Sequence, residues 1–266
     1  MRLSVNEIVD YKNCPQMYKF KHVDMLPEIK TIKDHFKDCL KQTISFYYYC
    51  MIDKREKSLD NLFSRWESVW FSENIHDRFT DVEIREGSNK AVELIRNFYE
   101  YNKEERVFPI AVDFKYETIF KGNTNLHVTG EIDLIKIVDD KSKDRKTDIV
   151  FFTQSRTMPD DFFKSIDLRY TLASYAFRNN FKAKENNVVV CNVGKKQYFY
   201  VRKTGTDYER ARKILYNIAT GIENRIFFPS DNPITCNKCR YKVFCMSEKT
   251  MEDKENAICK GSYNRT

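Results

Sequence analysis

The chain has no run of ~18 apolar residues, so a membrane-spanning helix is not expected. It also has no N-terminal apolar stretch of signal-peptide character, which argues against secretion. The expected location is intracellular, in the cytoplasm or, for a viral or mobile-element protein, the host cytoplasm, with no membrane partner. Glycine and proline are scarce at 7 and 6 of 266 residues, against much Lys, Asn, Tyr and Phe. That bias fits an AT-rich genome and says little about chemistry. There is no internal repeat and no low-complexity segment. Basic residues exceed acidic ones by 46 to 39, giving +7, an excess compatible with a nucleic-acid partner without establishing one.

What is present is aromatic material, 14% of the chain, enough for a sizeable core. The first third reads as helical. Ser4 ahead of Glu7 caps a short helix. Segments 31–52 and 58–104, both free of Pro, carry apolar stripes at helical spacing: Phe36, Leu40, Ile44 and Tyr47, then Leu59, Leu62, Trp66 and Trp70. Near residue 112 the period changes to two, predicting a hairpin from Phe114 to Phe120 into Leu126 to Ile135. An apolar central strand follows at Asp148 to Ser155. Residues 159–180 return to helix, 187–202 form a hairpin, and Thr206 with Glu209 caps a helix running to about Arg225. This order predicts an α/β protein with a central sheet and outer helices. We divide it into a helical region 1–110 containing Cys14, a core 111–228, and a tail 229–266, folding as one cooperative unit.

Eight cysteines in an intracellular chain are expected to be reduced, buried or metal-bound. Cys39, Cys50, Cys191 and Cys259 are scattered singly and read as small buried hydrophobes or surface thiols. Cys236, Cys239 and Cys245 form a C-x2-C-x5-C loop whose thiolates can converge on one metal or cluster. Cys14, before Pro15, is the best fourth donor. With no histidine nearby, a mixed zinc site is excluded, but spacing leaves zinc and 4Fe-4S both open.

Cys14-Pro15 with Tyr18 and Phe20, Gly130-Glu131-Ile132-Asp133, the Thr171 to Tyr175 segment, and Pro229 to Cys245 together resemble the PD-(D/E)XK nucleases of the RecB/AddB type, including CRISPR-associated iron–sulfur exonucleases. The resemblance implies a restriction-endonuclease-like mixed central sheet flanked by helices, with an N-terminal helical insertion and a C-terminal cysteine-stapled segment. It implies a 4Fe-4S cluster on Cys14, Cys236, Cys239 and Cys245, DNA as substrate, and a Mg or Mn ion held by Asp133. It also implies a carboxylate and a lysine on the next strand, where this chain has Phe151 and Thr153. The Gln-x-x-x-Tyr motif becomes Thr171-x-x-x-Tyr175, and the early histidine corresponds to His35 or is replaced by Cys39. A hard dication wants oxygen ligands, which a phenyl ring cannot give.

The expectation is therefore a non-catalytic, iron–sulfur-stapled scaffold of a DNA-processing or replication complex. Whether the chain is an enzyme stays open. A rearranged active exonuclease could gather Glu131, Asp133 and Glu117, with Tyr175 retained and Gln154 or Arg156 replacing the lysine. A zinc-stapled protein-interaction module is the third alternative. For DNA contact, the basic hairpin residues Lys195, Lys196, Arg202 and Lys203 stand beside Tyr198, Phe199 and Tyr200.

Overall fold

The computed structural model describes residues 1–28, 30–71, 74–104, 108–122, 125–139, 146–154, 166–195 and 197–246. Strand β1 (Arg2–Ser4) leads into α1 (Val5–Asn13), closed by the expected capping box: the Ser4 hydroxyl accepts from the Glu7 N–H, and the Glu7 carboxylate accepts from the Ser4 N–H at 2.7 Å. Cys14 leaves that helix extended and caps α2 (Pro15–Tyr18), where Pro15 takes the first-turn position that needs no N–H donor. A π-helical turn (Lys19–Val23) follows. Helix α3 (Ile32–Ile52) opens on a Thr31/Asp34 capping box. The helical stretch predicted over 58–104 divides into α4 (Leu59–Trp70), α5 (Ile75–Arg78) and α6 (Asp81–Asn102), because Ser58 and Thr80 each cap a separate helix start.

The remaining elements are β2 (Phe108–Phe120), β3 (Leu126–Asp139), β4 (Lys146–Thr153), α7 (Leu168–Phe181), β5 (Asn187–Asn192), β6 (Gln197–Val201), α8 (Gly205–Glu223), α9 (Pro233–Asn237) and α10 (Lys242–Met246). One cap differs from expectation. At α8 the Thr204 N–H and hydroxyl donate to Asp207 at 2.8 and 2.9 Å, so this pair caps the helix in place of Thr206 and Glu209.

The six strands form one sheet in the order β1-β3-β4-β5-β6, with β2 also paired to β3. It is mixed: β3–β4 and β5–β6 are antiparallel, and β4–β5 is parallel. A parallel pair requires a crossover, which the segment containing α7 supplies. Leu134, Val150 and Val189 of the sheet share a core with Leu40, Ile44 and Tyr47 of α3, Trp66 and Trp70 of α4, and Ile95 and Phe98 of α6. The chain is thus α/β, a central mixed sheet flanked by helices, as predicted.

By internal contacts it forms two compact units. One comprises Met1–Ile29, Ile119–Val128 and Arg210–Thr266, and the other Lys30–Thr118 and Thr129–Glu209. In the first, Phe20, Leu26, Tyr241 and Phe244 make a small core of their own. Among the described residues no helix is long and apolar enough to cross a membrane.

Candidate metal centre and thiol pocket

In the larger unit three carboxylates converge. Asp113 of β2 with Glu131 and Asp133 of β3 present oxygens all within 4.8 Å of one another. Residues two apart on a strand face the same way, which puts Glu131 and Asp133 together as the sequence predicts. The third member is Asp113 and not Glu117. Glu117 lies on the exposed side of β2, in phase with exposed Lys115 and Ile119. Asp113 would share that phase, but its backbone has a positive φ of 49°, in the left-handed region that bends a strand out of its pleat.

The fourth member was missed from sequence. Lys41 of α3 brings its Nζ to 2.6 Å from Glu131 Oε1, 2.6 Å from Asp133 Oδ1 and 3.8 Å from Asp113 Oδ1. One turn along the helix, the Ser45 hydroxyl donates to Asp113 Oδ1 at 3.0 Å. The Tyr49 hydroxyl donates to the Val112 carbonyl at 3.2 Å. Lys41, Ser45 and Tyr49 recur every four residues, so one face of α3 meets β2 and β3 while the Leu40, Ile44 and Tyr47 face enters the core. That i, i+4, i+8 polar series is the signal that could have found Lys41.

Asp133 is the most enclosed member, its side chain 12% exposed against 37% for Lys41. Its Oδ2 accepts the Phe152 N–H at 2.8 Å, so β4 still holds the carboxylate in place although it supplies no acid. Three carboxylates and one ammonium leave a formal charge of −2. Burial raises the pKa of Asp113, with Ser45 and Lys41 opposing and the two neighbouring acids adding. Burial alone would lower that of Lys41, but Asp133 and Glu131 outweigh it and hold the ammonium charged. Hard oxygen donors with a net negative charge in a partly open site fit a divalent cation such as Mg²⁺ or Mn²⁺.

The positions that depart from the family's motif are packed. Asp133 and Phe151 lie one residue past the last β3–β4 pair, Leu134 with Val150, and the Phe151 ring meets Tyr170 at 5.1 Å. Phe152 stacks on Tyr48 at 5.8 Å. The cation at the acids is Lys41; Gln154, a neutral amide, could replace a lysine only as a hydrogen-bond donor, and Arg156 lies outside the described residues. Tyr175 of α7 is half-buried, its ring 5.5 Å from that of Tyr208 on α8. His35 is buried, its Nε2 3.1 Å from the Trp70 carbonyl and 3.6 Å from Cys39 Sγ, so both are core groups away from the carboxylates. Arg169, at the start of α7, is paired with Asp167 and feels the Asp133 charge.

In the smaller unit all four predicted cysteines line one small cavity, of about 30 Å³. Cys14 Sγ accepts the Met17 N–H at 3.4 Å and the Ser230 N–H at 3.3 Å. Cys236 Sγ lies 3.3 Å from the Ser230 carbonyl. Burial pushes the Cys239 thiol up, and the other three sulfurs add to that. Among the described residues no three of these sulfurs lie within 4.8 Å of one another.

On the β5–β6 hairpin Lys195 and Arg202 are exposed, and Lys196 lies outside the described residues. Lys203 is only 3% exposed, which removes it from any surface phosphate contact; its carbonyl accepts from Arg178 at 3.0 Å.

These features, a mixed sheet with acids on β2 and β3 beneath a helix, define a nuclease-type α/β protein. The chain belongs to the PD-(D/E)XK nuclease superfamily, whose family model matches residues 2–246. Among solved structures, one described as "Crystal structure of SSO0001" is similar at 11% identity and a TM-score of 0.43, over 94% of this chain and 88% of that one. Among curated proteins nothing matches the chain.

Proposed function

We propose that the chain is a metal-dependent DNA nuclease whose active site has been rebuilt from other elements of the same fold. The observation that supports this most is the convergence of Asp113, Glu131 and Asp133 around Lys41. The set has the composition that the missing strand motif would supply: carboxylates for a divalent cation and one lysine. In this reading the three acids hold Mg²⁺ or Mn²⁺, which when bound supplies Lewis-acid activation of water and of the phosphodiester. Lys41 offers an ammonium to the phosphoryl oxygens where charge develops, the role open at Thr153. Ser45 orients Asp113, and the Phe152 N–H orients Asp133. The test is incubation of single- and double-stranded DNA with Mn²⁺. Degradation abolished in both Asp133→Ala and Lys41→Met supports the reading, and intact DNA under all conditions overturns it.

A second reading keeps the chain as a non-catalytic scaffold of a DNA-processing or replication complex, in a virus or mobile element. It is favoured by Lys41 sitting 2.6 Å from two of the acids, where a fixed ammonium can do the charge neutralisation that a metal would do. Then Mn²⁺ raises the Tm of Lys41→Met but not of the parent chain.

In both readings Cys14, Cys236, Cys239 and Cys245 carry a 4Fe-4S cluster, as in the RecB/AddB-type and CRISPR-associated relatives that the sequence resembles. What supports the reading is that all four cysteines line one cavity. A brown anaerobic preparation containing iron and acid-labile sulfide is expected; colourless protein with stoichiometric zinc would sink the cluster and leave the zinc staple.

A further inference from the structure

A groove of about 650 Å³ in the larger unit is lined by residues of α6, β3, β4, β5 and β6 and by the polar link before β5. Tyr101, Tyr198 and Tyr200 supply aromatic lining. Tyr198 and Tyr200, two apart on β6, face the same way with ring centroids 6.5 Å apart, and Tyr200 is 58% exposed. Its polar lining includes Asp148, Asn186 and Asn187.

Asp148 is only 4% exposed, yet its two oxygens are treated differently. Oδ1 accepts from Asn186 Nδ2 at 2.9 Å, the Asn187 N–H at 3.0 Å and Asn187 Nδ2 at 3.3 Å. Among the described residues Oδ2 accepts from none, and it is not sealed from solvent. On a nearly buried residue that lines a groove, a carboxylate oxygen without a donor has room to accept one. Glu100 and Glu104 line the groove together with Lys136, which stands opposite Asp148 in the β3–β4 register, so its acids outnumber its one lysine and it disfavours a phosphate over an uncharged ring. Arg202, whose Nε is 3.4 Å from Asn187 Oδ1, places a cation beside these polar residues, where an attached backbone could meet it.

We propose that this groove takes an unpaired nucleobase carrying an exocyclic amine, cytosine or adenine, from single-stranded DNA. The ring lies against the tyrosines and the amine donates to Asp148 Oδ2. Stacking on aromatic faces tolerates any base, whereas a carboxylate acceptor selects the amine of cytosine over the carbonyl of thymine. The proposal rests on the reading that the chain handles DNA, but not on its cleaving DNA.

Fluorescence anisotropy of labelled oligo-dC and oligo-dT in EDTA tests it. The two pyrimidines offer rings of equal size, so their ratio reports the edge contact. Oligo-dC is expected to bind on the order of tenfold tighter than oligo-dT. In Asp148→Asn the remaining oxygen can keep the Asn187 N–H while the amide nitrogen becomes a donor toward the groove, and the preference should reverse. Tyr200→Ala should weaken both oligonucleotides by roughly tenfold and Tyr200→Phe should restore them. Equal affinity of the parent chain for the two, or Tyr200→Ala binding like the parent, overturns the proposal; the Tyr200 pair and the dC/dT ratio decide it even if Asp148→Asn does not fold. Cleavage with equal dC and dT affinities discards the groove alone, whereas a dC preference without Mn²⁺-dependent cleavage discards only the catalytic reading.

Discussion

The thiol pocket and the carboxylate site are assembled by opposite means. Three of the four cysteines come from one short loop, Cys236 to Cys245, and the fourth is marked by the proline after it. The carboxylate site joins Lys41 to Glu131 across 90 residues, and its third acid depends on a left-handed backbone at Asp113. A local loop states its chemistry in its spacing. A site distributed over a helix and two strands states it only once those elements are packed.

The two sites should therefore fail independently. The largest expected effect is on cleavage: Asp133→Ala should lower Mn²⁺-dependent degradation by about 10²–10³-fold or more, with the iron content unchanged. A parallel loss of iron would show that the sites are coupled. Lys41→Met should cost on the order of 10²-fold in the same assay. It should also lower stability by about 1–2 kcal/mol, since three acids lose their ammonium in a partly exposed setting, and Mn²⁺ should recover that stability by binding the folded state. Urea titrations with and without Mn²⁺ measure both.

Cys239→Ser should act on the other side of the comparison. We expect loss of the bound iron and a Tm lower by roughly 5–10 °C, because a group bound only by the folded state stabilises it. Mn²⁺ binding at the carboxylates should persist, as read by thermal shift in the presence of the ion.

The smallest effect concerns pH. The folded pKa of Asp113 is raised, chiefly by burial, so its contribution to stability is full below its unfolded value and is lost as pH rises through the folded one. At neutral pH the ionised group therefore weighs against the fold. Asp113→Asn should raise Tm by roughly 2 °C at pH 7, the gain shrinking toward pH 4, while cleavage falls. A gain that does not change with pH would assign the effect to packing. Lys41 has the same sign in a higher window: its raised pKa gives stability that is full at neutral pH and is lost only in strong alkali.

Much of the fold was legible because its signals are local. The Ser4/Glu7 box and the stripe from Phe36 to Tyr47 each depend on residues a few positions apart. The caps at Ser58 and Thr80 were equally local, but a continuous apolar period across 58–104 concealed the break between helices. Asp133 was legible through Gly130-Glu131-Ile132-Asp133, and Glu131 followed from strand alternation. Glu117 was chosen by the same alternation, which the positive φ at Asp113 breaks. Lys203 was read as basic surface because charge in a sequence carries no label of burial.

The sequence by itself determined the α/β order, the superfamily, the acid pair Glu131 and Asp133, and the four cysteines that line one pocket. The element order follows from short-range period, and the superfamily and the roles of Asp133 and the four cysteines from motifs that resemble a known family; the chain carries both before it folds. Only the tertiary structure decided that Lys41 and Asp113 complete the acid pair, that Phe151 fills the motif position by packing on Tyr170, and that Asp148 lines a groove. Each of these depends on which face of one element meets another, and that is set by packing and not by spacing along the chain.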